Sequence, residues 1–220
     1  MPRVDAVLFD LDGTLADSAP DLAGAANELR AMHGLAPLPF EQLRPLVGSG
    51  ARGMVGVSFG VGPADERYDA LKAHFLRLYE ARLLCETVVF PQVRPLLDRL
   101  AAHGLAWGIV TNKAVRLAGP LVQGLELDRR SAVLIGGDST PFAKPHPEPL
   151  LEAARRLGLQ PERCAYVGDD PRDIQAGRAA GMATLAAAWG YLGAGESVDT
   201  WGADAVIHSP NQLLNWLDLA

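Results

Sequence analysis

The stretch Ala6-Val7-Leu8-Phe9-Asp10-Leu11-Asp12-Gly13-Thr14 runs four consecutive apolar residues into two carboxylates, a glycine and a hydroxyl. An apolar run without alternation reads as a strand buried on both faces, the signature of a parallel sheet with helices on either side. In open α/β sheets ligands gather beyond the carboxyl ends of the strands, so this strand delivers Asp10 and Asp12 to an active-site edge.

Beyond it the pattern changes to helical periods alone, from Ala16 to about Glu86. Leu22, Ala25, Ala26 and Leu29 share one face, and Leu71, Phe75 and Leu78 another. After Pro91 a helix carrying Val93, Leu96, Leu97 and Leu100 stops at Gly104, and a strand follows from Leu105 to Val110. Further apolar runs at Ala132 to Ile135, Cys164 to Val167, Ala183 to Ala188 and Ala205 to Ile207 alternate with helical stretches. The expected fold is therefore α/β: a doubly wound, Rossmann-like parallel sheet formed by residues 1–15 and 87–220. A small helical domain, residues 16–86, is inserted after the first strand.

Composition sets the remaining bounds. The 220 residues, 49% hydrophobic and 21% charged, suffice for one core domain and a modest second one. A net charge of -6 argues against nonspecific nucleic-acid binding, which needs clustered Lys and Arg. Cys85 and Cys164 are too few for a disulfide framework and read as small buried hydrophobes. Met1-Pro2-Arg3-Val4-Asp5 runs directly into the first strand, and apolar runs such as Ala183 to Trp189 fall far short of the ~20 residues a membrane span needs. A reducing, cytoplasmic location is the default expectation, with no membrane partner. Trp107, Trp201 and Trp216 read as packing residues, while Trp189, just past a strand end, draws attention to itself.

Four groups lie at or just after strand ends: Asp10 with Asp12, Thr111 with Asn112, Lys144, and Gly168-Asp169-Asp170-Pro171-Arg172-Asp173. A parallel sheet brings such ends to one edge, where this combination suits phosphoryl transfer. An ionised aspartate can attack phosphorus but must approach another anion. Three oxygen ligands plus waters would hold an octahedral Mg²⁺ that offsets the repulsion, and a lysine ammonium adds a second positive charge. The Thr111 hydroxyl and nearby backbone N–H groups suit the remaining phosphate oxygens.

In order and spacing, Asp10-Leu11-Asp12-Gly13-Thr14, Thr111-Asn112, Lys144-Pro145-His146-Pro147 and the acidic turn from Gly168 to Asp173 resemble the four motifs of the haloacid dehalogenase-like hydrolases. The resemblance implies that Asp10 is a nucleophile that becomes an aspartyl phosphate and that Asp12 is general acid and then base. It also implies Mg²⁺ held by Asp10, the Asp12 backbone carbonyl and Asp169, with Asp173 supporting its water shell. Gly13, Thr111, Asn112 and Lys144 would bind phosphate, and Asp170 is left unassigned because many relatives carry a hydroxyl there.

The helical insertion resembles the family's mobile cap. In it Val47-Gly48-Ser49-Gly50-Ala51-Arg52-Gly53 is a glycine-rich turn opening a helix, where Arg52 can recognise an anionic substrate group. Arg52, Thr111-Asn112-Lys113 and Trp201-Gly202-Ala203-Asp204 look most like the phosphoglycolate phosphatase branch, and within it like bacterial N-acetylmuramic acid 6-phosphate phosphatases. The implied substrate is a small phosphate ester, with 2-phosphoglycolate and N-acetylmuramic acid 6-phosphate leading. Dehalogenase chemistry is disfavoured, because dehalogenases of the family lack the second aspartate and the metal. A sugar phosphomutase is a closer rival, but related mutases carry a histidine in the cap's first helix where Leu22 stands here. Phosphonate-cleaving relatives use a cap lysine, and Lys72 is the only lysine of the insertion. A catalytically silent phosphate- or metal-binding regulator is the rival from another class.

Overall fold

A computed structural model describes residues 4–193 and 195–219; Met1 to Arg3, expected to lead directly into the first strand, lie outside the described residues with Ala194 and Ala220. β1 (Ala6–Phe9) is buried along its whole length. It pairs in parallel with β4 (Ala106–Val110) on one side and β6 (Cys164–Gly168) on the other. β5 (Leu134–Ile135), β7 (Ala183–Ala187) and β8 (Ala205–Ile207) complete a six-stranded parallel sheet of order β5-β4-β1-β6-β7-β8. The chain builds outward from β1 in one direction, then jumps back across it, which makes the carboxyl end of β1 the topological switch point.

Alternate residues of β1 serve opposite cores. Val7 and Phe9 pack with α5 (Val93–Ala102), α6 (Val115–Gly124) and α9 (Pro210–Trp216) through Leu96, Leu121 and Leu213. Ala6 and Leu8 pack with α7 (Glu148–Leu157) and α8 (Pro171–Ala179) through Leu150, Ala153 and Ala176. Both faces are thus covered, which is why the strand carries no polar residue.

Between β2 (Ala16–Asp17) and β3 (Val88–Val89) lie α1 (Ala19–Met32), α2 (Phe40–Leu43), α3 (Gly50–Phe59) and α4 (Tyr68–Arg82). These helices share a cluster containing Leu22, Leu29, Met54, Leu71, Phe75 and Tyr79, which reaches the sheet side through Leu117 and Tyr191. The face expected from Leu22, Ala25, Ala26 and Leu29 is the buried face of α1. Asp21, fully buried in α1, accepts hydrogen bonds from Glu86 N, Thr87 N and Thr87 Oγ1, so the first helix holds the segment's return.

Several expectations are corrected. Ala16 begins a two-residue strand rather than a helix, pairing antiparallel with Val88–Val89. The strand expected over Ala132 to Ile135 is only Leu134–Ile135, that over Leu105 to Val110 begins at Ala106, and that over Ala183 to Ala188 ends at Ala187. Cys85 is exposed, not a buried hydrophobe, because it lies past the end of α4 in the turn to β3; Cys164 is buried. Trp189 is half-buried and donates its indole N–H to the Thr14 carbonyl, so it braces the loop that carries the two acids. Among the described residues no helix is long and apolar enough to cross a membrane.

Candidate active site

Register explains the convergence. Phe9 is level with Ile109 of β4 and Val167 of β6, so Asp10, Thr111 and Asp169 emerge from adjacent strands within a residue's step of one another. Asp10 N still donates to Val167 O at 2.9 Å, which fixes the first acid to the sheet before the chain turns. The turn closes through Leu15 N and Ala16 N, both donating to Leu11 O. Gly13 sits at φ +85°, and a Cβ there would lie 2.1 Å from Asp169 Oδ2. Gly190 is as crowded, its added Cβ 2.2 Å from that of Asp169. The carboxylates are packed so closely that only hydrogen fits beside them.

Lys144 lies at the centre. Its buried Nζ is 2.9 Å from Asp10 Oδ1 and 2.8 Å from Asp173 Oδ1, and donates to Val110 O and the Tyr166 hydroxyl. Burial alone would lower the lysine's pKa, but Asp10 and Asp173 outweigh it and hold the ammonium above its ordinary value. The loop carrying Lys144 is clamped by Asn112: its carboxamide accepts from Lys144 N and donates to Lys144 O, both at 2.9 Å. Asn112, expected among the phosphate ligands, therefore has its side chain committed to placing the lysine, leaving only its backbone for phosphate. Gly13, expected in the same role, donates its N–H to Ala16 O. Thr111 is buried against the cavity, and its Oγ1 accepts from Lys113 N.

Asp169 accepts from the Thr14 hydroxyl at 2.9 Å and from Tyr191 N at 2.7 Å. Burial, and then the charges of Asp10 and Asp173, hold its carboxyl well above the usual range despite those two donors. Asp173 is raised to about 7, again chiefly by burial and against the pull of Lys144. Asp10, Asp169 and Asp173 bring carboxylate oxygens within 4.8 Å of one another. Asp10 Oδ1 is buried and, although beside Lys144, not aligned for a hydrogen bond. Three crowded carboxyl groups around one lysine cannot all ionise without excess negative charge, and an all-oxygen donor set of this kind fits a hard divalent cation. The side-chain set contains Asp173 as well as the expected Asp10 and Asp169. Asp12, expected to contribute only its backbone carbonyl, has its carboxylate engaged elsewhere: Oδ2 lies 2.9 Å from Lys113 Nζ and Oδ1 accepts from Ser18 Oγ.

Asp170 caps α8 in a reciprocal capping box with Asp173, and both its oxygens bind Arg172. Burial alone would raise its carboxyl, but Arg172 holds it below the ordinary range. Arg172 also donates to the carbonyl of Gly48, tying the sheet edge to the glycine-rich turn of the helical segment.

A cavity of about 520 Å³ opens over these groups. Its floor is Asp10, Asp12, Thr111, Lys144 and Asp169, and its roof is Leu22, Gly48 to Arg52, Lys72, Phe75 and Tyr79. Lys113 and Arg172 stand inside the quoted motifs without an expected role, and Tyr79 and Tyr191 are not among the expected site residues. Lys113 had a signal, since it stands directly after Thr111-Asn112, and Tyr79 continues the i, i+4 stripe of Leu71 and Phe75. Tyr191 shows no local signal: its hydroxyl accepts from Ser18 N and Ala19 N at the start of α1 while its own N–H holds Asp169.

Comparison with known proteins agrees with the geometry. The chain is 48% identical over 208 residues, 94% of each sequence, to a phosphoglycolate phosphatase of Xanthomonas campestris pv. campestris. It is 41% identical over 218 residues, 99% of this chain and 96% of the other, to an N-acetylmuramic acid 6-phosphate phosphatase of Pseudomonas aeruginosa. The crystal structure of a predicted phosphoglycolate phosphatase from Haemophilus somnus superposes with a TM-score of 0.87 at 26% identity, covering 98% of this chain and 99% of that one. A family model matches residues 4–181, from before β1 to just past α8, and so spans every acidic and basic group at the sheet edge. With these likenesses, the chain belongs to the haloacid dehalogenase-like hydrolases.

Proposed function

We propose that the protein is a Mg²⁺-dependent phosphatase that hydrolyses a small phosphomonoester through an aspartyl phosphate on Asp10. The observation that supports this most is the placement of Asp10 at the end of β1, 2.9 Å from Lys144 and within 4.8 Å of Asp169 and Asp173, on the floor of the cavity. In this reading an Asp10 oxygen attacks phosphorus, the P–O bond to the leaving alkoxide breaks, and Asp12, protonated at the start of the step, gives that alkoxide its proton. Asp12 then takes a proton from water, which attacks the same phosphorus, releases phosphate and restores Asp10. Lys144 supplies a fixed positive charge beside nucleophile and phosphate throughout. Asp10, Asp169 and the Asp12 carbonyl would hold the magnesium, with Asp173 beside them; the ion screens the repulsion between the attacking carboxylate and the phosphate.

The helical segment acts as a cap that sets substrate choice and excludes water. The substrates in the names of the relatives, 2-phosphoglycolate and N-acetylmuramic acid 6-phosphate, are the leading candidates. A volume of about 520 Å³ falls among the ~300–1,000 Å³ pockets that bury drug-sized ligands. It leaves room for an aminosugar ester as well as for the smaller glycolate ester. Apolar Leu22 in the roof gives no proton-transfer group of the kind the phosphomutase reading needs.

The test is phosphate release with Mg²⁺ from both esters and a panel of sugar phosphates, compared as kcat/KM, with Asp10→Asn as control. A preference of several powers of ten for one ester, abolished in Asp10→Asn, is the expected result. Near-normal turnover in that variant would overturn the mechanism, and uniformly weak release would leave the mutase or regulator reading.

A further inference from the structure

Asp12 is held at both oxygens. Oδ1 accepts from Ser18, the buried residue that leads into α1. Ser18 occupies the N-cap position yet makes no side-chain cap bond, and the helix-end N–H groups of Ser18 and Ala19 are taken by the Tyr191 hydroxyl instead. The Ser18 hydroxyl is turned to the Asp12 carboxylate rather than to the helix end.

Oδ2 lies 2.9 Å from Nζ of Lys113, whose side chain is only 7% exposed. The same ammonium donates to the Tyr79 hydroxyl at 2.8 Å and sits 4.5 Å from the centre of that ring. Tyr79 lies on α4, 1% exposed, stacked on Phe75 within the core of the helical segment. Burying an ammonium and a carboxylate together costs several kcal/mol of desolvation per ion and is weak evidence of a stabilising role. Here one partner is the acid/base carboxylate and both charged groups line the cavity. A positioned charge pair aims a proton-transferring group; a pair retained for stability has no need to face substrate.

We propose that Lys113 is a positioning residue that orients Asp12 for proton delivery to the leaving group, and that Tyr79 holds Lys113 in place from the helical segment. The inference rests on the phosphatase reading. It makes α4 part of the catalytic geometry: Asp12 is fully oriented only while α4 lies over the sheet edge, so chemistry is tied to the cap's position.

Leaving-group dependence separates this role from a structural one. p-Nitrophenolate departs without a proton, whereas the alkoxide of a sugar or glycolate ester requires one, and kcat/KM covers only the steps through leaving-group departure. In Lys113→Met, kcat/KM for the preferred alkyl ester should fall about 100-fold, and that for p-nitrophenyl phosphate several-fold at most. Tyr79→Phe, which keeps the ring and its packing, should lower kcat/KM for the alkyl ester about tenfold, again sparing that for p-nitrophenyl phosphate. Equal losses on both esters, or no loss, would overturn the proposal. If Lys113→Met does not fold, judged by circular dichroism, Tyr79→Phe decides alone by the same comparison. A wild-type protein that releases phosphate from neither ester would refute the phosphatase reading itself, and this inference with it.

Discussion

At the scale of single residues, Asp169 is crowded by two glycines, Gly13 and Gly190. Gly13 has both a left-handed φ and no room for a Cβ, the nearest atom being the carboxylate it would strike. Gly13→Ala should cost about 1–3 kcal/mol by overpacking and strain and should depress turnover because Asp169 must move. Gly34 also has positive φ, +69°, but nothing lies within 4 Å of an added Cβ. Gly34→Ala should therefore cost about 1 kcal/mol with turnover unchanged. Chemical denaturation alongside phosphate release checks both; equal effects on activity would mean that the contact with Asp169 is not what sets the site. These residues also show what a sequence discloses. Asp10, Asp12, Lys144 and Asp169 are legible because each ends a strand or sits in a Pro-flanked loop, where a polar residue has few structural reasons to be. Tyr191 acquires its contacts from what crosses over it, and no local pattern records that; Lys113 stands beside Thr111-Asn112, but its contact with Tyr79 is equally unrecorded in the local sequence. The resemblance makes Asn112 and Gly13 phosphate ligands; here the Asn112 carboxamide bonds Lys144 and the Gly13 N–H bonds Ala16.

At the scale of elements, length governs legibility. β1, β4, β6 and β7 have four or five residues each and read correctly as buried apolar runs. β2 and β3 have two residues each, too few to display any period, and exist because Phe90 N donates to Leu15 O and the two short strands pair. The helices around this ribbon depend on Asp21, whose carboxylate receives three donors from the returning chain. Asp21→Asn replaces one acceptor oxygen with an amide that faces N–H groups. Because hydrogen bonds to a charged acceptor contribute roughly 1.5–3 kcal/mol each, the variant should lose about 2–3 kcal/mol of stability. Urea unfolding with unchanged kcat at 25 °C would agree; a loss below about 0.5 kcal/mol, the range of surface substitutions, would show that the clamp is dispensable.

For the molecule as a whole, the acidic cluster couples proton binding to stability, and a bound metal would enter the same balance. Without metal, the folded protein holds Asp173 protonated up to about 7 and Asp169 protonated well beyond the ordinary carboxylate range. The unfolded chain releases those protons near pH 3.9. Folded pKa values above unfolded ones mean that the native state binds more protons across this window, so metal-free stability should fall as pH rises from about 4 through about 7. A divalent cation that replaces those protons should raise Tm more at pH 8 than at pH 5, because fewer protons then compete for the same oxygens. Thermal unfolding in EDTA and in Mg²⁺ at both pH values measures this, and a Tm gain independent of pH would remove the carboxylates from the metal site.

The pairing of Ala16–Asp17 with Val88–Val89 brings the outgoing and returning chain side by side. The α/β body thus surrenders the chain and recovers it at a single point, and none of its strand neighbours depends on what is spelled out in between. Such an arrangement separates heritable variation into two compartments. Phosphorus chemistry is written into the strand ends and is hard to alter, whereas the roof can be lengthened, shortened or exchanged by recombination at one seam. New substrates can then be acquired with the reaction kept, provided that the contact by which the roof reaches it, Tyr79 with Lys113, is kept too.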